Sequence, residues 1–393
     1  MRVMKTAQVV VNHRSVPHIP GVEPQRHALR VHRRLPGYQP TPLVDCPALA
    51  AALGVAQVWV KDESARLGLP SFKMLGACYA TYRELCRRLG GEPDWSDLGE
   101  LRTGLAPLGA LTLMAATDGN HGRAVARTAR VLGYAARIYV PAGTAAARIA
   151  TIEAEGAPVT VIDGDYDEAV RRCARDAGEG CLVISDTSWR GYEQIPAWVI
   201  DGYATMFWEV AEQFPGGDGL IDVVALPVGV GALASAAVRH FRGRPPGGGP
   251  AARGTGARLV GVEPAGADCV GRSVRAGHPV IVPGPHTSIM AGLNCGTPSQ
   301  LAWPLLEQGL DVLVAIDDEL AREGMRLLDQ AGVVAGETGA AALGGLLALR
   351  DGDQPPQGVR AAGLRDDARV LVISSEGATD AAAYERIVGH PPA

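Results

Sequence analysis

The chain has 393 residues, of which 47% are hydrophobic and 20% are charged, and its net charge is -5. This length is enough for two domains, because a single hydrophobic core stops growing at roughly 250–300 residues. The acidic balance excludes the basic surface that nucleic acid or a polybasic membrane contact requires, so we expect neither partner and predict a small-molecule substrate.

The cysteines also restrict the class of protein. Seven are scattered along the chain without a CxxC pair, which argues against a zinc site or a disulfide framework, and we predict no metal. The short apolar run at 9–11 is too brief for a signal peptide or a membrane span. A reducing cytoplasm is therefore expected, and pairing of Cys269 with Cys295 is left open.

The first chemically informative element is Lys73. A strand is predicted at 58–60, and near-helical spacing of apolar residues predicts a helix from Lys73 to about residue 89. A lone lysine is ordinarily a solvated surface charge. The apolar neighbours Phe72, Met74 and Leu75, however, disfavour the ammonium form and lower the pKa of a lysine towards that of a nucleophilic amine, as a Schiff-base lysine requires.

The remainder of the chain predicts an α/β fold. Residues 1 to about 40, rich in His, Pro and Arg, are expected to be irregular. After a surface excursion at 90–110, apolar strands alternate with helices. The predicted strands lie at 111–116, 136–140, 158–162, 181–185, 221–227, 259–262, 312–316 and 370–373. Continuous apolar strands separated by helices imply parallel-rich sheets covered by helices on both faces. Residues 242–250, rich in Gly, Pro and Arg, predict a disordered surface loop.

Polar segments follow several of these strands, at the sheet edge where ligands bind. They lie at 118–121, 186–189, 229–233 and 374–377. Taken alone, Asp118 and Asp186 would be interpreted as ordinary turn or N-cap residues, and a left-handed turn conformation is an alternative explanation of Asn120. Glu337 is either a charge in the first turn of a helix or a cofactor-site residue.

The segment 229–233 joins a strand to a helix N-terminus, where free backbone N–H groups and the helix dipole favour an anion. It predicts either a phosphate-binding loop or a structural turn. Gly229, Gly231 and Ala234, with Glu263 ending the next strand, also satisfy a dinucleotide fingerprint, so a nicotinamide-dependent oxidoreductase is a rival hypothesis. Glu263 comes later than the expected distance of about twenty residues, which weakens that rival.

Together these motifs resemble a known family. Ser71-Phe72-Lys73, Gly119-Asn120-His121-Gly122, the 229–233 loop and Ser375-Glu376-Gly377 occur in the order found in fold-type II pyridoxal-phosphate enzymes, the tryptophan synthase β-like group. More narrowly, residues 35 to about 385 are similar to the diaminopropionate ammonia-lyase family. The motifs that carry this likeness are Lys61-Asp62-Glu63, residues 117–123, Asp186-Thr187, Gly191-Tyr192, Ile195-Pro196, Gly202-Tyr203 and residues 289–293.

The resemblance implies a two-domain fold-type II enzyme that binds pyridoxal 5'-phosphate and forms a homodimer. Residues 1–76 and 206–393 would form the large cofactor-binding domain, and 77–205 the small domain.

The resemblance also implies which residues contact the cofactor. Lys73 would form the Schiff base, Asn120 would contact the cofactor's 3′-oxygen, and Ser375 would contact the pyridine nitrogen. The phosphate would be held by Gly229, Val230, Gly231, Ala232 and Leu233. Ala232 can offer only its backbone N–H, and Ser375 replaces an expected threonine.

The implied reaction is α,β-elimination of 2,3-diaminopropionate, D and/or L, to pyruvate and ammonia. Lys73 would act as base on one face and Asp118, where related dehydratases usually carry serine, on the other; Asp186 would share either role. A serine or threonine dehydratase or a β-replacement enzyme of the same fold is the alternative. A further alternative is a non-catalytic relative that serves as a binding or regulatory module. The intact Lys73, Asn120 and Ser375 argue against it.

Overall fold

The computed structural model describes residues 7–117, 119–243, 256–350 and 356–392. Among these residues there are eleven β-strands, numbered in chain order: β1 Ala7–Val11, β2 Leu43–Asp45, β3 Gln57–Asp62, β4 Thr112–Ala116, β5 Ala135–Pro141, β6 Val159–Ile162, β7 Cys181–Val183, β8 Val223–Pro227, β9 Arg258–Pro264, β10 Val312–Ile316 and β11 Arg369–Ser374.

The α-helices of the same residues are α1 His27–His32, α2 Pro47–Leu53, α3 Lys73–Leu89, α4 Leu98–Leu105, α5 Asn120–Leu132, α6 Ala146–Glu153, α7 Tyr166–Asp176, α8 Gln194–Gln213, α9 Ala232–Arg242, α10 Cys269–Ala276, α11 Trp303–Gly309, α12 Asp318–Gln330, α13 Ala341–Arg350, α14 Pro356–Ala361 and α15 Ala381–Val388. No helix in the described part of the chain is both long enough and apolar enough to cross a membrane.

The first of two compact units comprises residues 1–24, 40–65 and 206–393. Its seven-stranded sheet has the order β1-β10-β9-β8-β11-β3-β2. The five inner strands run parallel, and the two edge strands β1 and β2 pair antiparallel. Apolar side chains of the inner strands pack with those of α12 and α13 into one buried core, as expected for strands covered on both faces.

The second unit comprises residues 25–39 and 66–205. Its four-stranded sheet, β6-β5-β4-β7, is parallel throughout. Residues of β4, β5, β6 and α7 form a buried cluster in this sheet: Met114, Ala116, Tyr139, Ile162, Ala169 and Cys173. Residues 66–76 belong to this unit, so its limits differ from the boundary drawn at 76 from the sequence.

The predicted α/β class with parallel-rich sheets and helices is confirmed. Three local expectations differ from the structure. The region before residue 40 contains β1 and α1, and the excursion at 90–110 contains α4, whose Asp97 carboxylate accepts from the Glu100 N–H. Arg242, placed by the sequence in a disordered loop, ends α9 and is buried against Asp311; residues 244–255 lie outside the described residues.

Candidate active site

Lys73 is the first residue of α3, and two glycines allow this helix to pack closely on α8. A Cβ atom on Gly76 would lie 2.5 Å from Cε1 of Tyr203, and one on Gly202 would lie 2.5 Å from the carbonyl oxygen of Leu75. Side chains at these positions would therefore separate the helices. The close approach places Lys73 Nζ 6.0 Å from the Tyr203 ring centroid and 5.3 Å from that of Phe72.

The Lys73 ammonium forms an ion pair with Asp186. Nζ lies 2.7 Å from Oδ2, with side-chain exposures of 20% and 8%. Asp186 follows β7, at the carboxyl edge of the four-stranded sheet. Burial by itself raises the pKa of the Asp186 carboxyl, but the charges of Lys73 and His121 outweigh it and hold that pKa well below its usual range. The structure thus brings these two predicted site residues together.

His121 and Asn120 begin helix α5. The Thr117 hydroxyl accepts from the backbone N–H groups of Gly119 and Gly122, at 2.9 and 3.1 Å, and so shapes the turn before the helix. His121 donates from Nε2 to the carbonyl of Ile184 at 2.8 Å, and its Nδ1 lies 3.9 Å from Asp186 Oδ2. Asn120 is therefore a first-turn helix residue. Asp118 lies outside the described residues.

Tyr166 is a site residue that sequence reasoning missed. Its hydroxyl lies 3.5 Å from Asp186 Oδ1, and it begins α7 directly after Asp165, whose side chain caps that helix. A signal was present, because Tyr166 follows β6 and so falls at the same carboxyl edge of the sheet as Asp186.

The 229–233 loop lies in the first unit, between β8 and α9. Gly231 has φ +101°, and a Cβ atom there would lie 2.4 Å from Cδ1 of Leu306. A Cβ atom on Gly229 would lie 3.2 Å from the carbonyl oxygen of Gly292. Glycine is therefore required at position 231, whereas a side chain at 229 would make a tight contact with Gly292. The loop presents the N-terminus of an eleven-residue helix, which suits a phosphate group.

Ser375 directly follows β11, which is the parallel neighbour of β8, so the serine and the glycine loop follow the same edge of the seven-stranded sheet. Its side chain is 1% exposed, and Oγ has no hydrogen-bond partner among the described residues. A buried hydroxyl of this kind calls for a polar partner. The ring nitrogen of a heteroaromatic cofactor fits this need, and the loop fits the cofactor's phosphate.

Glu263, the acidic residue of the rival dinucleotide hypothesis, has a different role. Its two carboxylate oxygens accept from the backbone N–H groups of Val270 and Gly271 at the start of α10, each at 2.8 Å. The side chain is fully buried, and burial raises its pKa to about 8. A carboxylate engaged in this way cannot bind a ribose, so the structure removes the acidic partner of that fingerprint.

Glu337 lies in a turn four residues before α13 begins at Ala341. The turn packs tightly on Glu376 and Gly377. A Cβ atom on Gly336 would lie 2.5 Å from the carbonyl oxygen of Gly377, and one on Gly339 would lie 2.2 Å from that of Glu376. Glu337 is therefore not in the first turn of the helix, which was one of its two predicted roles.

In the first unit, a glycine loop and a buried unpaired hydroxyl suit a phosphorylated heteroaromatic cofactor. In the second unit, a lysine at a helix start suits a Schiff base. The family model described as "Pyridoxal-phosphate dependent enzyme" matches residues 34–376, and the chain belongs to this family. The predicted cofactor, pyridoxal phosphate, and the predicted enzymatic character are thereby confirmed.

Similar proteins within this family indicate that the enzyme is a lyase. The chain is similar to the diaminopropionate ammonia-lyase of Escherichia coli, with 37% identity over 92% of this chain and 90% of the relative. The crystal structure of that E. coli enzyme with D-serine superposes with a TM-score of 0.88, 35% identity, and coverage of 98% and 97% of the two chains. Its complex with an aminoacrylate-PLP azomethine reaction intermediate gives a TM-score of 0.85, 34% identity and the same coverage.

Proposed function

We propose that this enzyme eliminates ammonia from 2,3-diaminopropionate, consuming one water and yielding pyruvate and two molecules of ammonia. The observation that carries the proposal is the setting of Lys73. The sequence has three lysines, at positions 5, 61 and 73. Lys61 is fully buried and donates to Thr41, Glu209 and Gln213, whereas Lys73 is partly exposed, at a helix start, beside a carboxylate.

Pyridoxal phosphate, when bound, supplies an electron sink for the charge that develops at the substrate's α-carbon. The chain's residues supply proton transfer and positioning. Lys73 takes up the α-proton at Nζ, and Asp186 stabilises the resulting ammonium through the 2.7 Å contact. Position 375 carries a hydroxyl and not a carboxylate, so it offers no negative charge to keep the ring nitrogen protonated. The ring would then be a weaker electron sink, which favours prompt loss of a β-leaving group over a long-lived carbanion.

Asp118 is proposed as the group that separates a diamino acid from serine or threonine. A carboxylate can pair with the β-ammonium of the substrate, which a hydroxyl does less well. With Lys73 on one face and Asp118 on the other, both D- and L-isomers would be accepted. In Asp118→Asn we expect pyruvate release from the two isomers to fall unequally; equal losses would show that the face assignment is wrong.

Ammonia and pyruvate release test the function directly. The purified enzyme is given D- and L-2,3-diaminopropionate, L-serine and L-threonine in separate reactions. We expect pyruvate from the diamine with two ammonia per pyruvate, and none with Lys73→Ala. Faster turnover of serine or threonine, with one ammonia per oxoacid, would identify a dehydratase instead; incorporation of an added nucleophile would identify a β-replacement enzyme.

We further propose that the enzyme works as a homodimer in the cytoplasm. The dimer is supported by the family resemblance alone, and light scattering of the purified protein measures it. The reducing compartment is supported by the thiols, since all seven cysteines are free and burial raises the pKa of Cys46 to about 11 and of Cys78 to about 12.

A further inference from the structure

Tyr192 closes the exposed edge of strand β7. In the second unit β7 pairs only with β4, at one end of the sheet order. The Ile184 N–H bonds to Met114 on the β4 side, so Val183 and Ser185 direct their backbone groups to the open side. There the Tyr192 hydroxyl accepts from the Ser185 N–H at 3.1 Å and donates to the Val183 carbonyl at 2.7 Å. The Tyr192 phenol thus makes the hydrogen bonds to residues 183 and 185 that a neighbouring strand would otherwise make.

The phenol is itself held in place by its own turn. The Tyr192 N–H donates to the carbonyl of Trp189 at 2.8 Å across a turn in which Gly191 has φ +88°. The two rings stack, with centroids 4.2 Å apart and planes inclined by 12°. Burial raises the pKa of the Tyr192 phenol well above its usual range, so the hydroxyl stays protonated and can keep donating to Val183.

We infer that Tyr192 is a positioning residue for Asp186, the residue that follows Ser185. On the opposite side of the same segment, His121 donates to the carbonyl of Ile184. Residues 183–185 are therefore fixed from both sides, and the next side chain reaches Lys73 Nζ. The catalytic role of the Lys73–Asp186 pair rests on the proposed function, which this inference extends. The effect of Tyr192 on the reactivity of Lys73 can nevertheless be measured without turnover.

The placement of Asp186 matters because the attraction between two charges decreases with their separation. A carboxylate in contact favours the ammonium form of Lys73, and one displaced by the loss of the Tyr192 hydroxyl favours it less. Among the described residues of this unit, the other titratable side chains at the Lys73–Asp186 pair are His121 and Tyr166 beside Asp186 and Tyr203 beside Lys73. Among the described residues, the Tyr192 hydroxyl bonds to backbone groups of residues 183 and 185. Its effect on Lys73 is therefore expected to pass through this segment to Asp186, which follows it.

The test measures the reactivity of the Lys73 amine in the full-length chain stripped of cofactor. Acetylation by a limiting reagent is followed by peptide mass spectrometry between about pH 6 and 10, with circular dichroism to verify folding. Because only the free amine reacts, and a fall of one unit in pKa gives about tenfold more of it, we expect Tyr192→Phe to speed the labelling of Lys73 about three- to tenfold near pH 7. Asp186→Asn should do so at least as strongly.

The double variant separates positioning from general loosening. If Tyr192 acts through Asp186, then Tyr192→Phe added to Asp186→Asn has no further effect. Protection of the buried Cys173 thiol from a thiol reagent reports loosening of the second unit in the same sample. Tyr134→Phe removes a hydroxyl elsewhere in the unit as a matched control, and it should change neither Lys73 labelling nor Cys173 protection. Full additivity in the double variant, or unchanged Lys73 labelling in Tyr192→Phe, would overturn the inference.

If Tyr192→Phe does not fold, Trp189→Leu decides, because it keeps the hydroxyl and removes only the ring that stacks on it. We expect a smaller increase of Lys73 labelling in the same direction, abolished in the Asp186→Asn background. No increase would count against the inference. Since labelling needs no turnover, this result is independent of whether the enzyme releases pyruvate from 2,3-diaminopropionate.

Discussion

Lys73 and Asp186 are 113 residues apart in the sequence, yet Nζ of the lysine lies 2.7 Å from Oδ2 of the aspartate. Both belong to the second unit, so this unit alone builds the pair. One partner begins a helix and the other follows a strand at the carboxyl edge of a parallel sheet. The pair therefore has consequences for stability as well as for catalysis.

Asp186→Asn should destabilise the cofactor-free chain in a pH-dependent way. The native pKa of Asp186 lies below its unfolded value of about 3.9, so the pair's contribution is complete above that pH and is lost as the pH falls through the native pKa. Near pH 7 we expect a loss of about 2 kcal/mol, typical of a charge-assisted hydrogen bond. Urea unfolding near pH 7 and pH 3 measures it.

The control for that prediction is Asp367→Asn, which breaks an exposed pair with Arg365 and should change the urea midpoint little. Equal losses for Asp186→Asn at both pH values would contradict an ionised pair.

Ser375→Ala should stabilise the cofactor-free chain and weaken cofactor binding. A buried hydroxyl without a partner costs about 1–3 kcal/mol, so its removal raises the melting temperature. When the cofactor is bound the hydroxyl gains a partner, and its loss should lower pyridoxal phosphate affinity about tenfold, or about 1.4 kcal/mol. Melting curves and fluorescence titration measure the two effects.

Ser374→Ala is the matched control, because Ser374 is also fully buried and its Oγ likewise has no partner among the described residues. It should stabilise the chain but leave cofactor affinity unchanged. Weaker binding in both variants would remove the specific role assigned to Ser375.

Glu263→Gln should flatten the pH dependence of stability between about pH 5 and pH 8. The native pKa of Glu263 is raised to about 8 by burial, above an unfolded value of about 4.3, so the unfolded chain releases this proton first and stability falls as the pH rises between the two values. A glutamine cannot ionise, so the loss between about pH 5 and pH 8, about 4 kcal/mol, should disappear. Parallel slopes for the two proteins would refute it.

Gly76→Ala should separate α3 from α8 and so displace Lys73. Its Cβ atom would meet Cε1 of Tyr203 at 2.5 Å and Cγ1 of Val199 at 2.7 Å, which overpacks a buried contact and costs about 1–3 kcal/mol. Pyruvate release should fall as well. Gly91→Ala, just beyond the same helix, places its Cβ atom in open space and should alter neither property.

The sequence predicts the parts of this fold that depend on local pattern. Apolar strands alternating with helices are sufficient for the α/β class, and Lys73 is correctly expected at a helix start. Lys73 and Asp186 were both predicted as site residues, but their contact was not. No local pattern reports which side chains of two distant elements will meet.

The features that the sequence did not predict also depend on contacts between distant elements. Strand β1 forms because it pairs with β10, about 300 residues later in the chain, and Arg242 is buried because Asp311 receives its charge. The position of Tyr166 after β6 and the Gly191-Tyr192 motif were visible in the sequence, but neither shows what the two phenols contact. Each depends on a tertiary partner, which composition and spacing do not encode.

The position of β11 affects how the protein can be made. It is the last strand of the chain, yet in the sheet it lies between β8 and β3. On a ribosome, which synthesises from the N-terminus, the seven-stranded sheet must therefore keep an open centre until almost the whole polypeptide has emerged. Ser375 arrives with that final strand, so a nascent or C-terminally truncated chain lacks both the middle of its larger sheet and this hydroxyl.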